Sequence, residues 1–332
     1  MGKLPNKELK QLLSCIKKDS RVIIQPMIGY DSGVHIIDGK CLVVASDPCT
    51  GVPEEWFGYL LINYASSDVA LSGAKPEFCT INLLGPSPTN AEVFQKIMKQ
   101  TCLAADELDI TIVRGHTGTY DSLQGLVGVA TVYGTVQLEK LITPGNAKPG
   151  DLIFCTKPLG LETVINFSLT QKKLAEELFG KEQQERLSRQ VRMQSCVREA
   201  QQLAQTGVVH AMHDATEGGF VAALNELANA SGVGFRVDWE KIHLSKEVLA
   251  LQSYFNLSDE QVLAMSSTGT VLAAVDHQAQ EKVNAALRQC GLTASFLGEF
   301  TENQVRVMVK RGKEMSFPEV PDDRYGLIVS GR

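Results

Sequence analysis

The alternation of apolar and polar positions divides the chain into strands and helices before any composition is considered. VHIIDGKCLVVAS has two β-rich runs around Asp38-Gly39, a pair that readily supplies the positive φ of a tight turn, and it predicts a hairpin whose second strand ends at Ser46-Asp47. The rhythm then lengthens to helical spacing over residues 55–73. FCTINLL (78–84) reads as a strand, and 90–107 as a helix with Val93, Ile97 and Leu103 at helical intervals. ITIVR (110–114) and GLVGVATVYGTV (125–136) predict two more strands around a Gly-rich loop. Together these elements make an α/β or α+β unit.

Pro and Gly then concentrate in ITPGNAKPGD (142–151), where neither period can continue. This stretch predicts a domain boundary, with a first domain over 1–145 and a second over 146–332. Beyond it come a strand (DLIFC), a polar helical region over about 171–205, the strand VVHAM (208–212) and a helix over about 217–230. The strand GFRV, a helix near 278–289 and two last strands ending near Lys310 complete the reading. The second half therefore also alternates strands with helices. No short-period repeat or low-complexity tract is present.

Composition agrees with two folded domains. The 332 residues exceed the roughly 250–300 at which one core stops growing. Apolar residues at 44% and charged residues at 21% place the chain among ordinary globular proteins rather than disordered ones. A net charge of -6 gives no general attraction to nucleic acid or to anionic lipid, so neither is expected as a partner. The Lys-rich start lacks the apolar core of a signal peptide, and no apolar run is long enough to span a bilayer, which makes the cytoplasm the expected location. The eight cysteines include no C-x-x-C pair; reduced, mostly buried thiols are expected, with Cys49 notable for lying inside a polar cluster.

Five polar clusters fall where the pattern predicts strand ends and loops. They are residues 29–33 (GYDSG), 46–51 (SDPCTG), 66–68 (SSD), 114–118 (RGHTG) and 213–219 (HDATEGG). Acid and glycine recur together. Hard Mg²⁺ takes carboxylate and phosphate oxygens, while glycine lets backbone N–H groups approach phosphate closely. The same residue types also favour turns and helix caps, so spacing alone leaves both readings open. No G-x-x-x-x-G-K-[ST], G-x-G-x-x-G after a strand, G-x-S-x-G or H-E-x-x-H occurs, which disfavours P-loop, Rossmann, α/β-hydrolase and zincin sites.

In order and spacing the clusters resemble the superfamily of HypE, aminoimidazole ribonucleotide synthetase (PurM), selenophosphate synthetase and thiamine-monophosphate kinase. GYDSGV and SDPCTG resemble its Gly-Asp-Asp-Ala-Ala and Thr-Asp-Ser elements, and SSDVALSGAKP its Asn/Ser-Asp-Leu-Ala-x-x-Gly-Ala-x-Pro helix. NAKPGD, HDATEGG, SSTGTVLAAV and LGEF continue the match to about residue 300. The resemblance implies a two-domain PurM/HypE-like fold and a homodimer built through a β-barrel-like interface of the N-terminal domains. It also implies ATP with Mg²⁺ as cofactor. By the same carry-over Asp31, Asp47 and Asp68 are expected to ligate metal and phosphate. Gly115, Thr117, Gly218 and Gly219 are expected to contact nucleotide, and His116, Asp214 and Glu217 are candidate catalytic groups.

Two departures stand out. His116 occupies the place of an aspartate in the family's Gly-Asp-Thr element, and neutral imidazole binds Mg²⁺ poorly. Glu217 replaces the arginine of HypE's Thr-Arg-Gly-Gly and resembles the thiamine-monophosphate kinase element instead. The expected activity is ATP-dependent phosphorylation of an amide, carbonyl or similar oxygen on an unknown acceptor. A small-molecule kinase and a non-catalytic nucleotide-binding accessory protein of hydrogenase maturation are the alternatives. The C-terminal stretch FPEVPDDRYGLIVSGR contains no cysteine. On this reading the full HypE reaction, which uses a C-terminal cysteine, is not expected.

Overall fold

The computed structural model describes residues 4 and 6–331. After helix α1 (Asn6–Ser14), the chain forms two compact units, one over residues 11–141 and one over 142–331 joined by residues 6–10. Both are mixed α/β, each built on one sheet.

The first unit contains β1 (Val22–Ile24), β2 (Gly33–Ile37), β3 (Lys40–Thr50), α2 (Phe57–Leu71), β4 (Phe78–Pro86), α3 (Ala91–Glu107), β5 (Thr111–Tyr120) and β6 (Val127–Val136). The sheet runs β1-β2-β3-β6-β4-β5, with β4 and β5 parallel and the other pairs antiparallel. Asp38 and Gly39, both at positive φ, close the β2–β3 hairpin as the pattern predicts. Burial alternates along β3, where Cys41, Val43, Ala45 and Cys49 are buried, and along β4 at Cys79, Ile81 and Leu83. That period of two marks the face that α2 covers. Leu42, Val44, Ser46 and Pro48 point the other way and stay at least partly open.

Helix α2 is apolar nearly all round and correspondingly buried. Its hydroxyls are satisfied internally: Ser66 donates to the Ile62 carbonyl at 2.6 Å and Ser67 to the Asn63 carbonyl at 2.8 Å. An aspartate nevertheless remains in this helix, at position 68. Asn90 caps α3 by accepting the Glu92 amide at 3.0 Å.

The second unit contains β7 (Leu152–Cys155), α4 (Leu161–Thr170), α5 (Lys172–Phe179), α6 (Lys181–Ser188), α7 (Val197–Gln205), β8 (Val209–Asp214), α8 (Gly219–Ser231) and β9 (Gly234–Asp238). It continues with α9 (Lys246–Tyr254), α10 (Asp259–Leu263), β10 (Val271–Val275), α11 (Gln280–Arg288), β11 (Ser295–Thr301), β12 (Arg306–Lys310), β13 (Lys313–Ser316) and α12 (Tyr325–Ser330). The sheet order is β13-β12-β9-β11-β7-β10-β8, and only β9 and β12 pair in parallel. One core packs Phe220, Leu224 and Leu227 of α8 against Phe235 and Phe300 of the sheet. Another gathers Val164, Phe167, Val248, Leu251, Val262 and Ile328 from the helices. Each such side chain contributes about 1.5–3 kcal/mol on burial.

Three expectations need correction. Residues 111–120 form one continuous strand, because β5 pairs with β4 as far as Pro86↔Tyr120; His116 and Thr117 therefore lie in a strand and not in a Gly-rich loop. Asp47 likewise lies inside β3, which pairs with β6 out to Thr50. The helical region over 171–205 is three helices, broken first at Gly180 (φ 83°, ψ 150°), a conformation helices exclude. Helices α1, α4, α9, α10 and α12 and strands β1, β10 and β13 have no counterpart in the pattern reading.

Candidate functional site

In the first unit, folding draws Asp31, Asp47 and Asp68 toward one region. Asp31 precedes β2 and is half-buried, and the next residue, Ser32, hydrogen-bonds through its hydroxyl to that of Ser72 at 2.7 Å. Ser72 caps α2 one turn beyond Asp68, so the bond ties the Asp31 segment to the Asp68 end of the helix. The antiparallel register Gly33↔Val44 runs from β2 back toward Ser46, which brings the same segment alongside Asp47. Asp68 is 8% exposed and Asp47 half-buried on the side of the sheet that α2 covers. A carboxylate oxygen is the donor a small hard cation takes, so each of the three acids is chemically suited to one. The thiol nearest to them in sequence, Cys49, is buried beneath the Phe57 carbonyl (Sγ to O 3.7 Å), and burial pushes it up to about 12, so it offers no thiolate.

The strand element behaves differently. Gly115 continues the row Asp47–Ala130–Ile81 across the sheet, and a Cβ there would sit 2.7 Å from the Ile81 carbonyl oxygen. Close strand packing therefore accounts for this glycine. His116 falls in the adjacent row with Asn82, Val129 and Pro48, on the opposite face from Asp47. Its imidazole is exposed, with Nε2 2.9 Å from the Tyr120 hydroxyl. Thr117, also exposed, pairs with Leu83.

In the second unit, Asp214 ends β8 opposite Val271 and is 2% exposed, whereas Glu217 is exposed in the turn that follows. The turn is held on three sides. Ala215 donates its amide to the Thr270 carbonyl and accepts from the Ser267 amide. Gly219 donates to Thr216 O at 2.9 Å, and the Gly218 amide donates to the Asp323 carboxylate at 3.0 Å. Both glycines have positive φ, and a Cβ would strike Pro321 at Gly218 and the Met265 carbonyl at Gly219. These glycines are required by the chain's own close packing, and in this conformation both amides bond within the chain.

Three further groups lie beside this turn: His213, named in the 213–219 cluster but given no role there, and Glu162 and Asp323, which the sequence reading did not single out. His213 is buried, with Nδ1 2.8 Å from the Asp214 carbonyl oxygen and Nε2 2.9 Å from a Glu226 carboxylate oxygen. Glu162 on α4 is buried and accepts the hydroxyls of Ser266 and Thr268, each at 2.5 Å. Burial raises its pKa above the ordinary glutamate range, against the pull of those hydroxyls, and the nearby Asp323 charge adds to the rise. Asp323 is raised too, chiefly by burial and against its bonds from Gly218 and Tyr325. Glu162 stands in the sequence as an acid within an apolar stretch and Asp323 as one of several acids in a polar one, and spacing marks neither as buried.

Comparison with known proteins adds an independent line. Residues 29–136 match the N-terminal domain of AIR synthase related proteins, and 148–310 match the C-terminal domain. Selenide, water dikinase of Myxococcus xanthus is 29% identical over 335 residues, covering 90% of each chain. Carbamoyl dehydratase HypE of Cupriavidus necator is 26% identical over 253 residues, covering 74% of this chain and 68% of the relative. A crystal structure of the hydrogenase maturation protein HypE in complex with ATP superimposes with a TM-score of 0.71 at 17% identity, covering 94% of this chain and 91% of that one.

Proposed function

The chain belongs to the AIR synthase related family, and from that premise we propose that it is an ATP-dependent enzyme that uses Mg-ATP to phosphorylate an oxygen of an acceptor and so activates it. The observation that carries this reading is the match of both family domains, the first of which spans Asp31, Asp47 and Asp68. Asp31, Asp47 and Asp68 would hold Mg²⁺, an ion that takes carboxylate oxygens. Bound there, Mg²⁺ neutralises phosphate charge. Asp47 and Asp68 orient the nucleotide, with Gly115 and Thr117 on the strand beyond. His116 is exposed on the other face of the edge strand β5, so it would serve as a proton donor or acceptor only toward an acceptor that reaches round that edge, and not as a metal ligand. In the second unit Asp214 and Glu217 are the candidate acids toward the acceptor, on the turn that Gly218 and Gly219 shape.

A second reading is direct phosphoryl transfer to a small molecule. The similarity to a dikinase over 90% of both chains favours it, as does the exposed Glu217 carboxylate. Following products by phosphorus NMR with ATP and either selenide or a carbamoyl donor separates the two: a stable phosphorylated small molecule supports the kinase, and ADP with phosphate supports activation.

The proposed assembly is a homodimer through the first unit. Strand β5 lies at the edge of that sheet, with Val113 55% and Tyr120 43% exposed, and the neighbouring strand adds Phe78 at 42%. Light scattering of the purified chain tests this, and a monomer at micromolar concentration would count against it. The ATP reading itself is tested by thermal unfolding with and without Mg-ATP. An upward shift is expected, and its absence at millimolar nucleotide would overturn the reading.

A further inference from the structure

The turn from Asp214 to Gly219 is fixed by two acids that lie far from it in sequence. Asp323 spans two donors with two different oxygens: Oδ2 accepts the Gly218 amide at 3.0 Å and Oδ1 the Tyr325 amide at 2.8 Å. Glu162 grips the other flank. Its Oε2 accepts Ser266 and Thr268, its Oε1 accepts the Asn166 amide at 3.3 Å, and the 266–270 loop so held bonds Ala215 on both sides. Asn166 also donates to the Tyr325 hydroxyl at 2.8 Å, which links Glu162 to Asp323 through Asn166 and Tyr325. The segment that carries Asp323 is anchored at both ends by apolar side chains. Phe317 sits edge-on to Phe220 and Phe235, and Ile328 is fully buried in the helical core. Between them the Pro318 carbonyl accepts from Asn225 at 2.8 Å, and Asp322 accepts from Gln261 at 2.7 Å.

We propose that Glu162 and Asp323 form a carboxylate clamp that sets the geometry of the Asp214–Gly219 turn, and that both act as positioning residues for the acids this turn presents to the acceptor. The catalytic part of this proposal rests on the ATP-dependent reading above; the clamp itself does not. An uncharged carboxamide does not replace Asp323, because its NH₂ would face one of the two backbone N–H donors whichever way it turned. At Glu162 the hydroxyl partners can rotate to donate or accept, so the variant that opens the clamp is Glu162→Leu, which removes both oxygens facing Ser266, Thr268 and Asn166.

The test is amide hydrogen exchange of the full chain without nucleotide, read by mass spectrometry on peptides covering 214–222. Asp323→Asn and Glu162→Leu are expected to speed exchange there by roughly tenfold, as the hydrogen bonds holding the turn and its neighbouring loop are lost, while peptides of α3 and α11 stay as in wild type. Glu319→Gln, an exposed acid of the same segment whose carboxylate takes no part in the clamp, is the control and should leave the turn unchanged. Wild-type exchange at 214–222 in both clamp variants, or equal acceleration throughout the second unit, would overturn the clamp. Turnover then reads the positioning role: kcat falls about tenfold or more with KM for Mg-ATP nearly unchanged, since small displacements of reacting groups have costs of that order. An unchanged kcat in variants whose turn has loosened would overturn positioning. Failure of the wild type to bind or turn over Mg-ATP would count against the functional reading alone, and the exchange result would still decide the clamp.

Discussion

His116 Nε2 lies 2.9 Å from the hydroxyl of Tyr120, four residues along the edge strand β5, because a period of two places positions i and i+4 on one face. If the imidazole moves a proton for the acceptor, its loss should affect turnover and spare nucleotide binding. We expect His116→Asn to lower the rate of ADP formation at least about tenfold. Tyr120→Phe should produce a smaller fall, and calorimetric affinity for Mg-ATP should stay within about twofold in both, well under the 1.4 kcal/mol of a tenfold change. Unchanged turnover in His116→Asn would remove it from the site.

Asp47 and Asp68 should behave in the opposite way. Asp47→Asn and Asp68→Asn keep volume and remove charge, so each is expected to weaken Mg-ATP binding at least roughly tenfold, or about 1.4 kcal/mol. Calorimetry with and without Mg²⁺ checks this. Were the two only structural polar groups, stability would change by no more than about 2 kcal/mol and nucleotide affinity would hold.

Thiol reactivity should follow burial. Cys15 and Cys102 are exposed, whereas Cys41, Cys49, Cys79, Cys155 and Cys196 are buried, and burial pushes Cys79 up to about 11 and Cys49 and Cys155 up to about 12. Iodoacetamide under native conditions should label Cys15 and Cys102 first and leave Cys49 unmodified until the chain unfolds. Rapid labelling of Cys49 would contradict this account.

The buried carboxyl of Glu162 makes stability depend on pH in a definite direction. Its folded pKa is raised, so the native state retains a proton that the unfolded chain releases. Its favourable contribution is therefore complete below the ordinary glutamate pKa of about 4.3 and declines as pH rises through the raised folded value. Glu162→Gln should flatten that part of the profile, measured as unfolding midpoint against pH. A wild-type slope in the variant would show that Glu162 is not its source.

Lys157 offers a test confined to stability. Its ammonium is buried, pairs with Glu199, and donates to the carbonyls of Met193, Ser195 and Gly269 at 2.9, 2.7 and 2.9 Å. Lys157→Met strands the Glu199 charge and three carbonyls, at a cost of about 3–5 kcal/mol in chemical unfolding. The double variant Lys157→Met with Glu199→Leu should recover much of that loss.

Local pattern was enough to determine most of the elements. The hairpin at Asp38-Gly39, helices α2 and α3 and strand β4 are written in short-range periodicity and turn chemistry, and these operate within a few residues. The ordered polar clusters also carried the family resemblance, because motif order along a chain is a one-dimensional property. Tertiary structure decided the rest. The Gly-rich run at 114–118 became a strand because β4 supplies a parallel partner along its whole length, an interaction no local signal encodes. Gly218 and Gly219 are consistent with a phosphate-binding turn in sequence, yet their missing side chains make room for Pro321 and the Met265 carbonyl. Glu162 and Asp323 stand 161 positions apart, and no sequence period relates them. Their association with one turn depends on how helices α4 and α12 pack, since burial and hydrogen-bond partners are set by the three-dimensional path of the whole unit.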